Sequence, residues 1–138
     1  MKVLDTDTCI EILRGNPQVI ACRQQAMDSV ATTWITACEL AYGAANSQDP
    51  LHNQALVTTF LATLPMLDFN LLAAELFGRY KANSRRDGMT VADANLLIAA
   101  LTMAQGATLV TGNIRHYARI PDLHLEDWIR QPSVPPSA

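Results

Sequence analysis

Cysteine is scarce and odd in number: Cys9, Cys22 and Cys38 are the only three in 138 residues. They share no metal-ligand spacing and stand beside no histidine in a nucleophile motif. That argues against a disulfide framework, a zinc site or a cysteine hydrolase. They read as small buried hydrophobes of a reducing compartment. Long apolar runs are lacking too, and none approaches the roughly 20 residues of a membrane helix. The opening Met1-Lys2-Val3-Leu4-Asp5-Thr6-Asp7 places two carboxylates where a secretory signal needs a basic start and an apolar stretch. A cytoplasmic protein with no membrane partner is expected. Lysine is nearly missing: Lys2 and Lys81 are the only two among ten basic residues. A net charge of −3 argues against broad nucleic-acid binding. Arginine, which supplies the other eight basic residues, is the better bidentate phosphate ligand. Divalent metal can also mask carboxylates, so a nuclease is disfavoured but not excluded.

What is present suits one folded domain. Hydrophobic residues make up 49% and charged residues 17%, a globular balance. The length allows a core without disulfide or metal staples. There is no repeat and no linker. The low-complexity end, Gln131 to Ala138, carries Pro and Ser, so a single domain over 1–130 and a disordered tail over 131–138 are expected.

Short strands alternate with helices. Lys2 to Leu4, Ser29 to Trp34, Met66 to Phe69, Thr108 to Thr111 and His124 to Glu126 read as strands. A helix capped by Asp7 or Thr6 is expected to run to Arg14, with others from Pro17 to about Ala26, from a Thr36 cap through Ala45 and from about Leu51 to Leu64. Further helices fit Leu71 to Arg86 and Asp93 to Gln105, with a short turn at Ile114 to Ala118. Thr36 and Glu39 have the spacing of a capping box. This alternation implies a three-layer α/β/α domain around a mostly parallel sheet. Active groups of such sheets gather beyond the carboxyl ends of the strands.

Several polar residues fall at those ends. Asp5 closes an apolar strand, which makes it either a metal ligand or a helix cap. Glu39 lies in an apolar helix start, Ala37-Cys38-Glu39-Leu40-Ala41, where the capping box is the competing role. Asp93 precedes the apolar Leu96-Leu97-Ile98-Ala99-Ala100 and is either an acid of the site or an N-cap. Asn113, after Thr111-Gly112, suits a turn. Asp7 is close enough to Asp5 to support it. Hard cations such as Mg²⁺ and Mn²⁺ favour oxygen ligands of this kind, gathered from distant parts of the chain. The remaining acids read as caps, turns or solvated faces, and His116 and His124 as surface groups.

Taken together, Leu4-Asp5-Thr6-Asp7-Thr8, Glu39-Leu40-Ala41-Tyr42-Gly43, Leu96-Leu97-Ile98-Ala99-Ala100, Leu109-Val110-Thr111-Gly112-Asn113, Arg115-His116-Tyr117 and Trp128 resemble the PIN-domain ribonucleases. The match is specifically to the toxins of VapBC-type toxin–antitoxin pairs. The resemblance implies endonucleolytic cleavage of RNA with Mg²⁺ or Mn²⁺ and a metal-activated water. It also implies a VapB-type antitoxin that blocks the cleft, and a toxin homodimer. It makes Asp5 and Glu39 metal-centre acids, puts Asn113 where the family has Asp or Asn, and gives Thr111 an orienting hydrogen bond. Arg115 and His116 become RNA-side candidates. One position departs: the family's third acid falls on Asn95, with Asp93 two residues earlier. Either Asp93 takes over the metal or the site is weakened at Asn95, naturally or by an introduced Asp→Asn change. The second case leaves a catalytically weak or inactive module that binds antitoxin and acts in promoter autoregulation. A phosphoacceptor receiver domain, also α/β, is disfavoured because no Lys follows Lys81.

Overall fold

A computed structural model describes residues 1–130; the tail expected at 131–138 lies outside them. Five strands form one sheet: β1 (Lys2–Leu4), β2 (Val30–Thr33), β3 (Met66–Leu67), β4 (Thr108–Val110) and β5 (His124–Glu126). Their order is β3-β2-β1-β4-β5, and every pair is parallel. Seven helices join them: α1 (Thr6–Leu13), α2 (Pro17–Gln25), α3 (Trp34–Ala45), α4 (Pro50–Leu61), α5 (Leu71–Arg86), α6 (Asp93–Ala104) and α7 (Ile114–Tyr117).

The two central strands show why the sheet needs a helical layer on each face. Side chains alternate along a strand, so Val3 and Leu109 point one way while Leu4 and Val110 point the other. The register aligns Val3 with Leu109 and Leu4 with Val110, and all four are fully buried. Leu4 and Val110 pack with Cys9, Val19, Leu40, Val57 and Phe60 from α1 to α4, and with Trp128. Val3 and Leu109 pack with Leu96, Ile98 and Ala99 of α6 and with Tyr117 of α7. The expected three-layer α/β/α architecture is thus observed.

Starting from β1, the chain winds out through β2 and β3 on one side, then returns to build β4 and β5 on the other. The winding direction reverses between β1 and β4. At such a switch point the loops beyond the strand ends diverge and leave a crevice.

Three local expectations change. Asp5, not Thr6 or Asp7, is the N-cap of α1 and accepts from the Thr6 N–H at 2.8 Å. α3 starts two residues before Thr36 and is capped by Thr33, whose hydroxyl accepts from the Thr36 N–H at 3.1 Å. Glu39 is therefore free of the anticipated capping box, because β2 ends in a Thr that caps the helix earlier. Asp93 opens α6 as its first residue, and the N-cap is Ala92, which makes no side-chain cap. Of the three cysteines only Cys9 is buried. Cys38 is exposed because α3 buries the face of Thr36, Ala37, Leu40 and Ala44.

The cap assignment can be checked by denaturant unfolding. Thr33→Ala should cost about 1 kcal/mol, whereas Glu39→Gln should stay within about 0.5 kcal/mol of the parent. Equal losses for both would restore the capping box.

Candidate metal centre

The switch point between β1 and β4 holds the polar cluster. Asp5 directly follows β1, and its N–H donates to the Val110 carbonyl at 2.9 Å, continuing the ladder. This places a carboxylate in the protein interior, with only 5% of the residue exposed. Such a group needs partners, since a bare buried charge is costly. Asp5 Oδ1 accepts from the Thr6 N–H. Its Oδ2 accepts from Thr111 Oγ1 at 2.8 Å and from the Tyr117 hydroxyl at 3.0 Å. Thr111 is itself oriented by the Asn113 N–H, which donates to its hydroxyl oxygen at 3.0 Å.

Glu39 arrives from α3 through Thr6. The Thr6 hydroxyl donates to Glu39 Oε1 at 2.6 Å and lies 3.1 Å from Thr36 Oγ1. Thr6 thus touches both acids, Asp5 by its backbone and Glu39 by its side chain. Asp7, the second residue of α1, reaches the loop after β4. Its Oδ2 accepts from the Gly112 N–H at 2.8 Å and from Asn113 Nδ2 at 3.1 Å, and its Oδ1 accepts from the Thr8 N–H. Burial and the neighbouring Asp5 charge hold the Asp7 carboxyl above the usual carboxylate range, against the opposing pull of the Gly112 and Thr8 amides.

The two candidates for the third corner part company. Residues two apart on an α-helix are about 200° apart around its axis, so Asp93 and Asn95 cannot serve one site together. Asn95 turns inward: its Oδ1 lies 3.2 Å from the Tyr117 hydroxyl. Asp93 turns to α5, where Lys81 Nζ lies 3.0 Å from Oδ1 and 3.2 Å from Oδ2. The structure brings together Asp5, Asp7, Glu39, Asn95, Thr111 and Asn113, and does not bring in Asp93.

Tyr117 was not picked out as a site residue by sequence reasoning. Burial and the adjacent Asp5 raise its phenol pKa far beyond the usual value, which keeps the hydroxyl a donor. A tyrosine in a short turn gives no local sign of its partners, and this ring is fully buried. Only the fold shows where its hydroxyl ends. Gly112 is a second such residue. A Cβ there would stand 2.8 Å from both Asp7 Oδ2 and Ile129 Cδ1, so hydrogen is the only substituent that leaves room for the Asp7 bond.

Arg115 and His116 lie outside this cluster. They are exposed and line an open groove of about 820 Å³ with Gly112, Asn113, Ile114, Asp127 and Arg130. The groove therefore shares a wall with the acidic cluster.

The donor set suits a hard divalent cation in its chemistry. It consists of carboxylate, amide and hydroxyl oxygens. Among the described residues, no Lys, Arg or His forms an ion pair with Asp5, Asp7 or Glu39. Also among the described residues, no three His, Cys, Asp or Glu side chains are grouped to hold a metal. A cation here would rely on two full carboxylates, Asp5 and Glu39, with a neutral oxygen beside them.

The model of the PIN domain family matches residues 2–123. The chain is 36% identical to the tRNA(fMet)-specific endonuclease VapC of Salmonella typhimurium, over 91% of this chain and 96% of that protein. It is 31% identical to Ribonuclease VapC2 of Rickettsia felis, over the same shares. Among solved structures, DNA-bound VapBC from Salmonella typhimurium superposes with a TM-score of 0.86 at 34% identity, covering 92% of this chain and 97% of that one. The chain belongs to the PIN-domain family, in its VapC group of ribonucleases.

Two measurements test the cluster. Gly112→Ala should destabilise the protein by about 1–3 kcal/mol, as overpacking does. A loss near zero would mean that the Asp7 contact is loose. In a carboxyl NMR titration of the metal-free protein, Asp7 should titrate above the ordinary 3.8. Its midpoint should fall when Asp5 is made Asn. Because the folded-state pKa is raised, the linked contribution to stability is present below pH 3.8 and is lost as pH rises through the Asp7 midpoint. An Asp7 midpoint at or below 3.8 would contradict this account.

Proposed function

We propose that this chain is the toxin of a type II toxin–antitoxin pair, an endoribonuclease dependent on Mg²⁺ or Mn²⁺. The observation that carries this reading is the buried Asp5 carboxylate at the switch point, joined through Thr6 to Glu39 and facing no cationic side chain among the described residues. The VapC relatives, named ribonucleases and endonucleases, support the reaction class. Asp5 and Glu39 would hold the ion, with Asn95 offering a neutral carbonyl and Asp7 and Asn113 flanking it. Bound there, a divalent ion supplies Lewis-acid stabilisation of phosphoryl charge and a nucleophile at neutral pH.

The chain's own groups have separate tasks. Thr6, Thr111 and Tyr117 donate to the acids and fix their orientation. Asp7 accepts from both the Gly112 N–H and the Asn113 side-chain amide, which fixes the loop between the acids and the groove. Arg115, His116 and Arg130 line that groove and would bind RNA phosphates, consistent with the bidentate preference of guanidinium. Asp93 takes no part, because Lys81 already neutralises it.

The same reading includes a VapB-type antitoxin as partner, cytoplasmic location and a toxin homodimer. The solved neighbours from Salmonella typhimurium and Rickettsia felis are VapBC complexes. An apolar groove lined by Ile10, Leu13, Leu40, Leu56 and Val57 runs up to Glu39. An apolar partner segment laid along it would cover that acid. No helix among the described residues is long and apolar enough to cross a membrane.

A second reading, an antitoxin-binding PIN module that does not cut, draws on Asn95 and the want of a third acid. A cleavage assay on mixed RNA with Mn²⁺ separates the two. The parent should cut, Asp5→Ala should lower the rate by more than about 100-fold, and Asp93→Asn should leave it within about twofold. Arg115→Ala should weaken RNA binding and reduce its salt dependence. If the parent and Asn95→Asp are both inert on every RNA, with folding intact, the non-cutting module is the correct reading.

A further inference from the structure

Carboxylates account for the metal chemistry of the cluster, but not for its phenol. The Tyr117 ring is fully buried among Val3, Leu96, Ile98 and Leu109, so its hydroxyl has little freedom to move. That hydroxyl lies 3.0 Å from Asp5 Oδ2 and 3.2 Å from Asn95 Oδ1. A phenol has one proton to donate. Asp5 is both the nearer acceptor and the charged one, and charge-assisted bonds are the stronger. The proton therefore belongs to Asp5. Residue 95 is left facing the phenolic oxygen, which can only accept. An amide has a matching donor: its two ends are distinguished by their hydrogen bonds alone, and turning the amide over puts Nδ2–H on that oxygen. A carboxylate at 95 would have no donor to offer and would compete with Asp5 for a single proton.

We propose that Asn95 and Tyr117 are a matched pair, a donor chain from Asn95 through Tyr117 to Asp5 that positions the Asp5 carboxylate. Asparagine at 95 is then the native partner of this phenol and not a lost acid. Tyr117 is a positioning residue: it acts through Asp5. The proposal rests on the metal-centre reading only in giving Asp5 its task; the hydrogen-bond chain exists without metal.

The first arm of the test uses the full chain free of metal and follows the Asp5 side-chain carboxyl ¹³C resonance by NMR. Tyr117→Phe should move it, and so should Asn95→Ala. The double variant should match Tyr117→Phe alone, because Asn95 reaches Asp5 only through the phenol. An Asn95→Ala shift that persists undiminished in the Tyr117→Phe background overturns the chain, as does an Asp5 resonance indifferent to both. If Tyr117→Phe fails to fold, Asn95→Ala decides alone: the Tyr117 hydroxyl proton should exchange faster, and unchanged exchange overturns the pairing.

The second arm titrates Mn²⁺ calorimetrically. Tyr117→Phe should weaken Mn²⁺ binding by about 10-fold while the Tm stays within a few degrees. A folded variant with parental Mn²⁺ affinity overturns the positioning role. If the parent itself binds no Mn²⁺, the metal-centre reading fails, and the carboxyl resonances still decide whether Tyr117 positions Asp5.

Discussion

The Asp5 carboxylate is the group around which the functional end of this sheet is assembled. It is buried, yet it takes hydrogen bonds from the Thr6 backbone, the Thr111 hydroxyl and the Tyr117 phenol. Those donors come from the start of α1, the end of β4 and the last residue of α7. Three separate stretches of chain thus converge on one anion, over more than a hundred residues of sequence separation. A buried charge tolerates few substitutes for such partners, because each lost donor exposes the full cost of desolvation. The parallel order β3-β2-β1-β4-β5 makes this convergence possible. It puts β1 at the centre and the reversal of winding immediately beside Asp5.

Electrostatics then separate acids that look alike. Asp7 is paired with neutral donors and faces Asp5, so its carboxyl resists ionisation. Glu39 is exposed but held by Thr6. Asp93 is also exposed and is held by Lys81. The difference matters for function: a carboxylate already matched by an ammonium has little left to offer a metal, whereas one held by hydroxyls and amides keeps its charge for a cation. The basic groove of Arg115, His116 and Arg130 lies beyond Gly112. A polyanion lying there would be drawn toward the acids by residues that do not cancel them.

Much of this was legible in the residues. Alternating short apolar runs and helical stretches identified the layered fold, because periods of two and 3.6 are visible locally. Asp5 stood out because it ends an apolar strand, although the helix-cap role it also has was an equally good reason for it to be there. Less legible were the roles of Thr36 and Glu39. Their spacing fits a capping box, but Thr33, at the end of β2, captured the cap first and moved the helix start. Asp93 and Asn95 could have been separated by helical geometry alone, since 200° of rotation forbids a shared site. Which of the two faces inward required knowing where α5 and α7 lie. Tyr117 stood in the Arg115-His116-Tyr117 block but showed no task of its own, because local sequence does not tell whether an aromatic's hydroxyl meets a partner.

Local pattern and composition by themselves determined the elements and the three layers, while the order of the motif blocks along the chain pointed to the family and, through it, to Glu39 beside Asp5. The elements and layers depend on periodicity or on a residue's immediate neighbours along the chain. Only the tertiary structure decided that Lys81 neutralises Asp93, that Gly112 makes room for Asp7, and that Asn95 meets Asp5 through the Tyr117 hydroxyl. Hydrogen bonds and ion pairs act over about 3 Å. Which groups come that close is set by how the helices pack on the sheet.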